Sequence, residues 1–133
     1  MKRLLLCWLL MGTSVLLFGQ TQVHSVYFGG GSYYIDGKQI ADIETFIKSI
    51  PKIEHHQITI SSHTDNIGGA AYNARLSQMR SQMVIGELGK LNLPINEISI
   101  VNNGQLNPLF DNRTMDGRLA NRRVDIILEP ILL

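Results

Sequence analysis

The stretch Ser61–Arg80, SSHTDNIGGAAYNARLSQMR, decides the fold of this chain because it joins a strand, a turn and a helix. Gln57–Ser61 alternates apolar and polar residues, which predicts a strand with one apolar face. A polar loop follows from Ser62 to Gly69, and its two glycines allow a sharp turn. Apolar residues spaced by three and four then predict a long helix from about Ala70 to Leu91.

The segments on both sides continue this alternation of strands and helices. Upstream, Val23–Phe28 is predicted as a strand and Gly37–Ile50 as a helix with one apolar face. Downstream, Glu97–Val101 and Val124–Leu128 are predicted as strands, separated by the polar segment Asn102–Asn121 with one short helix. The order β-α-β-α-β-loop-β predicts an α/β (α+β sandwich) fold, with two main helices on one face of a mixed four-stranded sheet.

The N-terminal residues have the layout of a secretory signal. Lys2 and Arg3 precede an apolar run, Leu4–Phe18, and Gly19 and Gln20 lead into polar sequence. This run is shorter than the roughly 20 apolar residues of a comfortable membrane span. We therefore predict a signal peptide over residues 1–20 and one globular domain over residues 21–133, with an uncleaved anchor as the alternative.

Cysteine content and charge exclude several classes of function. The single cysteine, Cys7, lies in the apolar run, so the mature domain has no disulfide and no cysteine–metal site. Removing Lys2 and Arg3 leaves 12 − 2 = 10 basic residues against 11 acidic ones. A domain this close to neutral is not expected to bind nucleic acid.

The histidines do not suggest a metal or a catalytic site. On an extended strand His55 and His63 would lie about 26 Å apart, and His63 with Asp65 supplies only two ligands. A triad of Ser62, His63 and Asp65 is also disfavoured, because neighbouring side chains on an extended chain point apart. We expect no metal, no cofactor and no enzymatic activity.

Three polar residues around the turn are expected to converge. Asn73 and Arg80 are two helical turns apart and share a face, and helix side chains lean toward the N-terminus. Arg80 therefore points toward the loop that carries Asp65. A carboxylate and a guanidinium match the ammonium and carboxylate on one α-carbon of an amino acid. An internal ion pair between Asp65 and Arg80 fits these observations equally well.

Two sequence blocks resemble a known family. These are S-H-T-D-N-I-G…Y-N-A-R-L-S-Q-M-R, which starts at Ser62, and N-P-L-F-D-N-R-T-M-D-G-R-L-A-N-R-R-V, which ends at Val124. Their order and spacing resemble the OmpA-like (OmpA/MotB C-terminal) peptidoglycan-binding domain family, over about Val23–Glu129. The resemblance implies non-covalent binding of peptidoglycan through the diaminopimelate of its stem peptide, for anchoring or scaffolding in the cell envelope.

The family pattern, carried over position by position, implies a ligand site. Its residues are Thr64, Asp65, Asn73, Arg80, Arg122 and Arg123. In the family the Asp65 position holds the diaminopimelate ammonium and the Arg80 position holds its carboxylate. One arginine of the N-R-R-V block also reaches the ligand, and the resemblance leaves open whether this is Arg122 or Arg123.

The chain also departs from the family pattern. Ser62 replaces a glycine, Gly29–Gly31 replaces polar residues near the pocket, and Asn102 and Asn103 replace glycine and an aromatic residue. These changes predict weaker binding or a different peptide preference. The alternative is a scaffold that has lost wall binding and acts through an outer-membrane or other envelope protein. In both cases we expect an exported protein, periplasmic or associated with the outer membrane of a Gram-negative-type envelope.

Overall fold

The computed structural model describes residues 19–132. Its elements, in chain order, are β1 (Gln22–Tyr27), α1 (Gly37–Lys48), β2 (His56–Ser62), α2 (Ala70–Gly89), β3 (Ile98–Asn102), α3 (Met115–Asn121) and β4 (Arg123–Pro130). Cys7 and the predicted signal peptide, apart from Gly19 and Gln20, lie outside the described residues. Over residues 19–132, none of the helices combines the length and the apolar character needed to cross a bilayer.

The four strands form one mixed sheet in the order β1-β4-β2-β3. β4 pairs antiparallel with both β1 and β2, whereas β2 and β3 are parallel. The last strand of the chain thus lies in the interior of the sheet. Because β4 runs against β2, its first residues lie beside the end of β2, where Ser62 pairs with Val124. This topology brings the N-R-R-V block, Asn121–Val124, next to the turn that carries Thr64 and Asp65, which we call the T-D turn.

One face of the sheet and the two long helices enclose the core. Burial alternates along β2, where Ile58 and Ile60 are fully buried and Gln57 is exposed. Both helices present apolar residues to this face and contact each other. The predicted arrangement of two main helices on one face of a mixed four-stranded sheet is confirmed. The central buried residues are Ile43, Ile47, Ile58, Ile60, Val84, Leu88, Val124, Ile126 and Leu128.

The two long helices begin in different ways. Asp36 caps α1 by accepting a hydrogen bond from the Gln39 N–H at 2.8 Å, and the Gln39 side chain accepts from the Asp36 N–H at 3.0 Å. α2 follows Gly68 and Gly69, both with positive φ, and no side chain caps it. A glycine adopts such angles without steric cost. The first turn of α2 therefore starts directly from the loop that carries the T-D pair.

Element boundaries differ slightly from the sequence expectations. α1 ends at Lys48 instead of Ile50, and α2 ends at Gly89 instead of Leu91. β4 extends to Pro130, because β2 continues the antiparallel ladder to the pair of His56 and Pro130, two residues beyond the end of the pairing with β1 at Leu128. A short 3-10 turn at Ile53–His55 was not predicted.

Close packing of α3 against the preceding loop requires a glycine. A Cβ atom added to Gly117 would lie 1.9 Å from the Asp111 carbonyl oxygen and 2.9 Å from Thr114 Oγ1. We expect Gly117→Ala to lower the free energy of unfolding by about 3 kcal/mol, at the upper end of overpacking costs, in urea denaturation.

Gly86→Ala in α2 is the matched control for this change. Apart from its chain neighbours and the backbone of its own helix, no atom lies within 4 Å of a Cβ added there, so alanine should raise stability by about 0.5–1 kcal/mol through helix propensity. If both variants had the same stability, the close approach of α3 to Asp111 would be wrong.

Candidate functional site

A cavity of about 260 Å³ opens where β2 ends and α2 begins. Its walls come from the glycine loop after β1, the T-D turn, α2 and the residue that precedes β4. Five of the six residues implied by the family pattern line it, namely Thr64, Asp65, Asn73, Arg80 and Arg122. Arg123 does not line it.

Asp65 is buried at the cavity wall, and its carboxylate pairs with Arg122. Asp65 Oδ2 accepts a hydrogen bond from Arg122 Nε at 2.6 Å, and Oδ1 accepts from the Ile67 N–H at 3.0 Å. Among residues 19–132, the ion pair of Asp65 is thus with Arg122 and not with Arg80. Both carboxylate oxygens have a protein donor, which fixes the orientation of the group.

Arg80 is the largest fully buried side chain of the described chain, at 1% exposure. Its guanidinium donates three hydrogen bonds to backbone carbonyls, from Nε to Ser32 at 2.8 Å, from Nη2 to Gly29 at 3.0 Å and from Nη1 to His63 at 3.1 Å. Its Cζ atom lies 5.0 Å from the centre of the Phe28 ring. Arg80 therefore ties the loop after β1 and the end of β2 to α2.

Burial also changes the acidity of this group. It lowers the pKa of the Arg80 guanidinium from its ordinary value to about 10, and the negative charge of Asp65 partly opposes the shift. Arg80 is still a cation at neutral pH. A guanidinium has five N–H groups, so the three carbonyl contacts leave two for any other acceptor.

Asn73 contributes an acceptor that has no donor. Its side chain is 1% exposed, and Nδ2 donates to the Ile67 carbonyl at 3.0 Å and to Gln105 Oε1 at 2.9 Å. Two acceptors around the amide nitrogen fix which way the amide points. Asn73 Oδ1 is then buried without a hydrogen-bond partner in the described part of the chain. A buried unpaired acceptor is costly, so a ligand N–H group is favoured here.

Thr64 has a local structural contact. Its hydroxyl donates to the Asp65 carbonyl at 2.8 Å, and its N–H donates to the Gly104 carbonyl at 2.8 Å. The second bond attaches the T-D turn to the long loop after β3. This loop also supplies Gln105 to Asn73, a contact that no sequence pattern indicates.

The two adjacent arginines point to different surroundings. The Arg122 guanidinium lies against Gly30, where an added Cβ atom would be 3.4 Å from its Cζ atom. Arg123 Nε instead contacts both oxygens of Asp125, at 3.1 and 3.0 Å, and its Cζ atom is 5.8 Å from the Phe110 ring centre. Successive residues at the start of a strand face opposite sides, so Arg122 alone of the two enters the cavity.

A separate polar cluster surrounds His63. Ser61 Oγ lies 3.2 Å from His63 Nε2, and Asp125 Oδ2 lies 3.9 Å from the same nitrogen. A Ser-His-Asp relay needs the carboxylate on the other ring nitrogen, so this cluster is not such a relay. Ser62 is turned away from it and donates to the Ser77 carbonyl at 2.8 Å. No group of three or more metal-ligating side chains is found within residues 19–132.

The departures from the family pattern have local partners. Gly30 leaves room for Arg122, and Gly31 leaves room for the Tyr72 hydroxyl, which would be 3.1 Å from an added Cβ atom. Asn102 Oδ1 lies 3.1 Å from the Ser62 hydroxyl and accepts from the Ser81 hydroxyl at 2.6 Å. The serine and asparagine replacements therefore share one partly buried hydrogen-bond network.

An apolar wall of the cavity was missed in the sequence. Ile67, Tyr72 and Leu76 line the side next to the charged groups. Tyr72 and Leu76 are four residues apart on α2, and Tyr72 adjoins Asn73. Leu76 lies three residues after Asn73 and four before Arg80, and Tyr72 lies one further turn before Leu76. This helical spacing is the signal that would have identified both residues.

Comparisons with known proteins agree with this fold. The OmpA family model matches residues 27–122, so the chain belongs to the OmpA family, as the sequence blocks predicted. Outer membrane porin F of Pseudomonas fluorescens is 38% identical over 96 residues, which cover 72% of this chain and 28% of the porin. Peptidoglycan-binding protein ArfA of Mycobacterium tuberculosis is 31% identical over 114 residues, which cover 82% of this chain and 35% of ArfA.

Solved structures give the same result. The crystal structure of the peptidoglycan-associated lipoprotein from Burkholderia pseudomallei superposes with a TM-score of 0.71 at 26% identity, covering 79% of this chain and 89% of that chain. The chain spans between 26% and 61% of the length of the curated relatives with which it aligns.

The contacts of Arg80 predict a structural role that can be measured without a ligand. Arg80→Lys should lower the free energy of unfolding by about 2–4 kcal/mol, because an ammonium cannot reach three carbonyls that surround a planar group. Arg75→Lys, at an exposed position of α2, should stay within about 0.5 kcal/mol of the parent. Urea denaturation of both variants is the measurement, and equal stabilities would contradict the carbonyl contacts.

The environment of His63 predicts a dependence of stability on pH. Burial, and then the positive charge of Arg123, lowers the pKa of His63 below its ordinary value of 6.5, against the opposing charge of Asp125. The unfolded chain therefore binds this proton more readily than the folded chain. This contribution to stability is complete above pH 6.5 and decreases as the pH falls from there toward the lowered folded pKa.

His63→Gln should reduce the decrease in the free energy of unfolding below pH 6.5. The reduction is at most about 1.4 kcal/mol per pH unit, because one proton is involved. Burial also lowers the pKa of His24, so some dependence on pH should remain in the variant. Thermal unfolding over a pH series measures the effect, and His55→Gln, at an exposed position, is the control. An unchanged pH dependence in His63→Gln would refute the assignment.

Proposed function

We propose that this domain binds peptidoglycan non-covalently and serves as an anchor or scaffold in the cell envelope. The end of the diaminopimelate side chain would occupy the cavity at Asp65. Membership in the OmpA family supports this function, as do the names of two similar proteins, a peptidoglycan-binding protein and a peptidoglycan-associated lipoprotein. We further propose an exported, non-enzymatic protein, periplasmic or associated with the outer membrane, with residues 1–20 as its signal peptide.

One observation carries the proposal, namely that hydrogen-bond acceptors and cationic side chains line the same small cavity. Asp65 and the unpaired Asn73 Oδ1 would receive an ammonium. The Arg122 side chain makes only one hydrogen bond within residues 19–132, through Nε, so its two terminal nitrogens are available to a carboxylate. The two N–H groups of Arg80 that no carbonyl engages would add to this contact. Thr64 closes the turn behind the ammonium, and Arg123 has no part in the site.

This set of groups matches an amino acid whose ammonium and carboxylate are on one carbon. Diaminopimelate presents that pair at the end of its side chain when it is part of a stem peptide. Lysine, which replaces it in other walls, has the ammonium but not the carboxylate. A site built to pair a polar group discriminates against an analogue that lacks it. We therefore propose a preference for diaminopimelate-containing peptidoglycan.

The alternative is a scaffold that acts through an envelope protein partner. It is favoured by the observation that the charged groups of the cavity already contact each other or the backbone. Asp65 pairs with Arg122, and Arg80 holds three carbonyls. Such a network is stable without a ligand, so the network alone does not require wall binding.

Asp65→Asn separates the two functions. The amide keeps the size of the side chain but loses the charge that would hold an ammonium. Removing one partner of a charge-assisted contact costs about 2–5 kcal/mol, so binding to diaminopimelate-type sacculi should weaken at least ~30-fold in co-sedimentation. The parent should also bind lysine-type sacculi at least ~10-fold more weakly than diaminopimelate-type ones.

Asp116→Asn, at an exposed position of α3, is the matched control and should bind like the parent. Thermal unfolding of each variant verifies that the fold is retained. A parent that sediments with neither type of sacculus would favour the scaffold function. Equal binding of parent and Asp65→Asn would show that the cavity is not the binding site.

A further inference from the structure

The cavity has two chemically different sides. Asp65, Asn73 and Arg122 form a charged and polar side, and Ile67, Tyr72 and Leu76 form an apolar side. Leu76 is 6% exposed and lies at the bottom, whereas Tyr72 is 50% exposed and lies at the mouth. An ion alone would not need the apolar side, because an ion gains nothing from contact with a hydrocarbon surface.

The position of the Tyr72 ring depends on two glycines. A Cβ atom added to Gly68 would lie 2.6 Å from Tyr72 Cδ1, and one added to Gly31 would lie 3.1 Å from the Tyr72 hydroxyl. Both glycines have positive φ, at 100° and 67°. The ring therefore lies between two loops that approach it closely, and it forms a wall of defined position at the cavity mouth.

The charged side and the apolar side are suited to different parts of one molecule. A ligand whose charged head meets Asp65 and Asn73 would lie beside the apolar side of the cavity. Leu76 lies four residues after Tyr72 on the same face of α2, so the two side chains form a continuous strip from bottom to mouth. The part of the ligand that follows the head is then expected to be a hydrocarbon chain.

We infer that Tyr72 is a specificity-determining residue that packs against the alkyl chain of the bound diamino acid and discriminates its length. The inference rests on the proposed function, since it concerns the same ligand and the same cavity. A chain of the matching length covers the strip from Leu76 to Tyr72 while the head reaches Asp65. A shorter chain leaves the Tyr72 ring uncovered, and a longer one must bend at the mouth.

The experiment uses three free diamino diacids as probes, diaminoadipate, diaminopimelate and diaminosuberate. They have two, three and four methylene groups between identical charged heads. In calorimetry with the full domain, diaminopimelate should bind about 4-fold or more tightly than the other two, the effect of one buried methylene. Tyr72→Ala should weaken diaminopimelate binding about 10-fold and reduce the discrimination among the three below about 2-fold.

Two further variants make the result specific to the ring. Tyr72→Phe keeps the ring and should keep the order of the three affinities, whereas Tyr72→Gln, which suits a helix, should lose the order as alanine does. Tyr27→Ala is the matched control, since Tyr27 is 53% exposed but lies outside the cavity, and it should keep both affinity and order.

The possible outcomes separate the inference from the proposed function. If the parent binds diaminopimelate and Tyr72→Ala keeps the same order of affinities, the role of Tyr72 is refuted and the proposed function stands. If the parent binds none of the three diacids, the proposed function fails at this cavity and the inference fails with it. Loss of the order in both Tyr72→Ala and Tyr72→Gln supports the inference.

Discussion

The buried guanidinium of Arg80 is the contact on which the geometry of this site depends. A cation removed from water is tolerated only when polar groups replace its hydration, and here three backbone carbonyls and the Phe28 ring do so. The carbonyls belong to the loop after β1 and to the end of β2, which are far apart in the sequence. One side chain therefore sets the distance between the two walls of the cavity.

Because three of the five N–H groups of Arg80 are engaged by backbone carbonyls, most of the accessible charge of the cavity comes from the pair of Asp65 and Arg122. These residues are 57 positions apart, and the insertion of β4 between β1 and β2 brings them to 2.6 Å. The zwitterionic ligand proposed for this cavity would meet a carboxylate and a guanidinium that are already oriented by each other. Such preorganisation lowers the cost of ordering side chains on binding.

The glycine and serine departures from the family pattern are compensated within the structure. Gly30 and Gly31 leave the space that Arg122 and Tyr72 occupy, and the Ser62 hydroxyl lies in a network with Asn102. Replacing only one member of such a set would create either a clash or an unpaired polar group. The geometry of the site thus depends on combinations of residues. A comparison with the family pattern one position at a time misses these combinations.

The sequence by itself determined the order of strands and helices and the family, and five of the six residues that it singled out line one cavity. Apolar periodicity is a local property, so it identified each element to within a few residues, and helical spacing placed Asn73 and Arg80 on one face. The tertiary structure decided which groups pair. Arg122 rather than Arg80 is the partner of Asp65, and Arg123 faces Asp125. The pairing of Asp65 with Arg122 depends on the strand order, about which local patterns carry no information, whereas Arg123 and Asp125 are two residues apart on β4 and share one face of that strand.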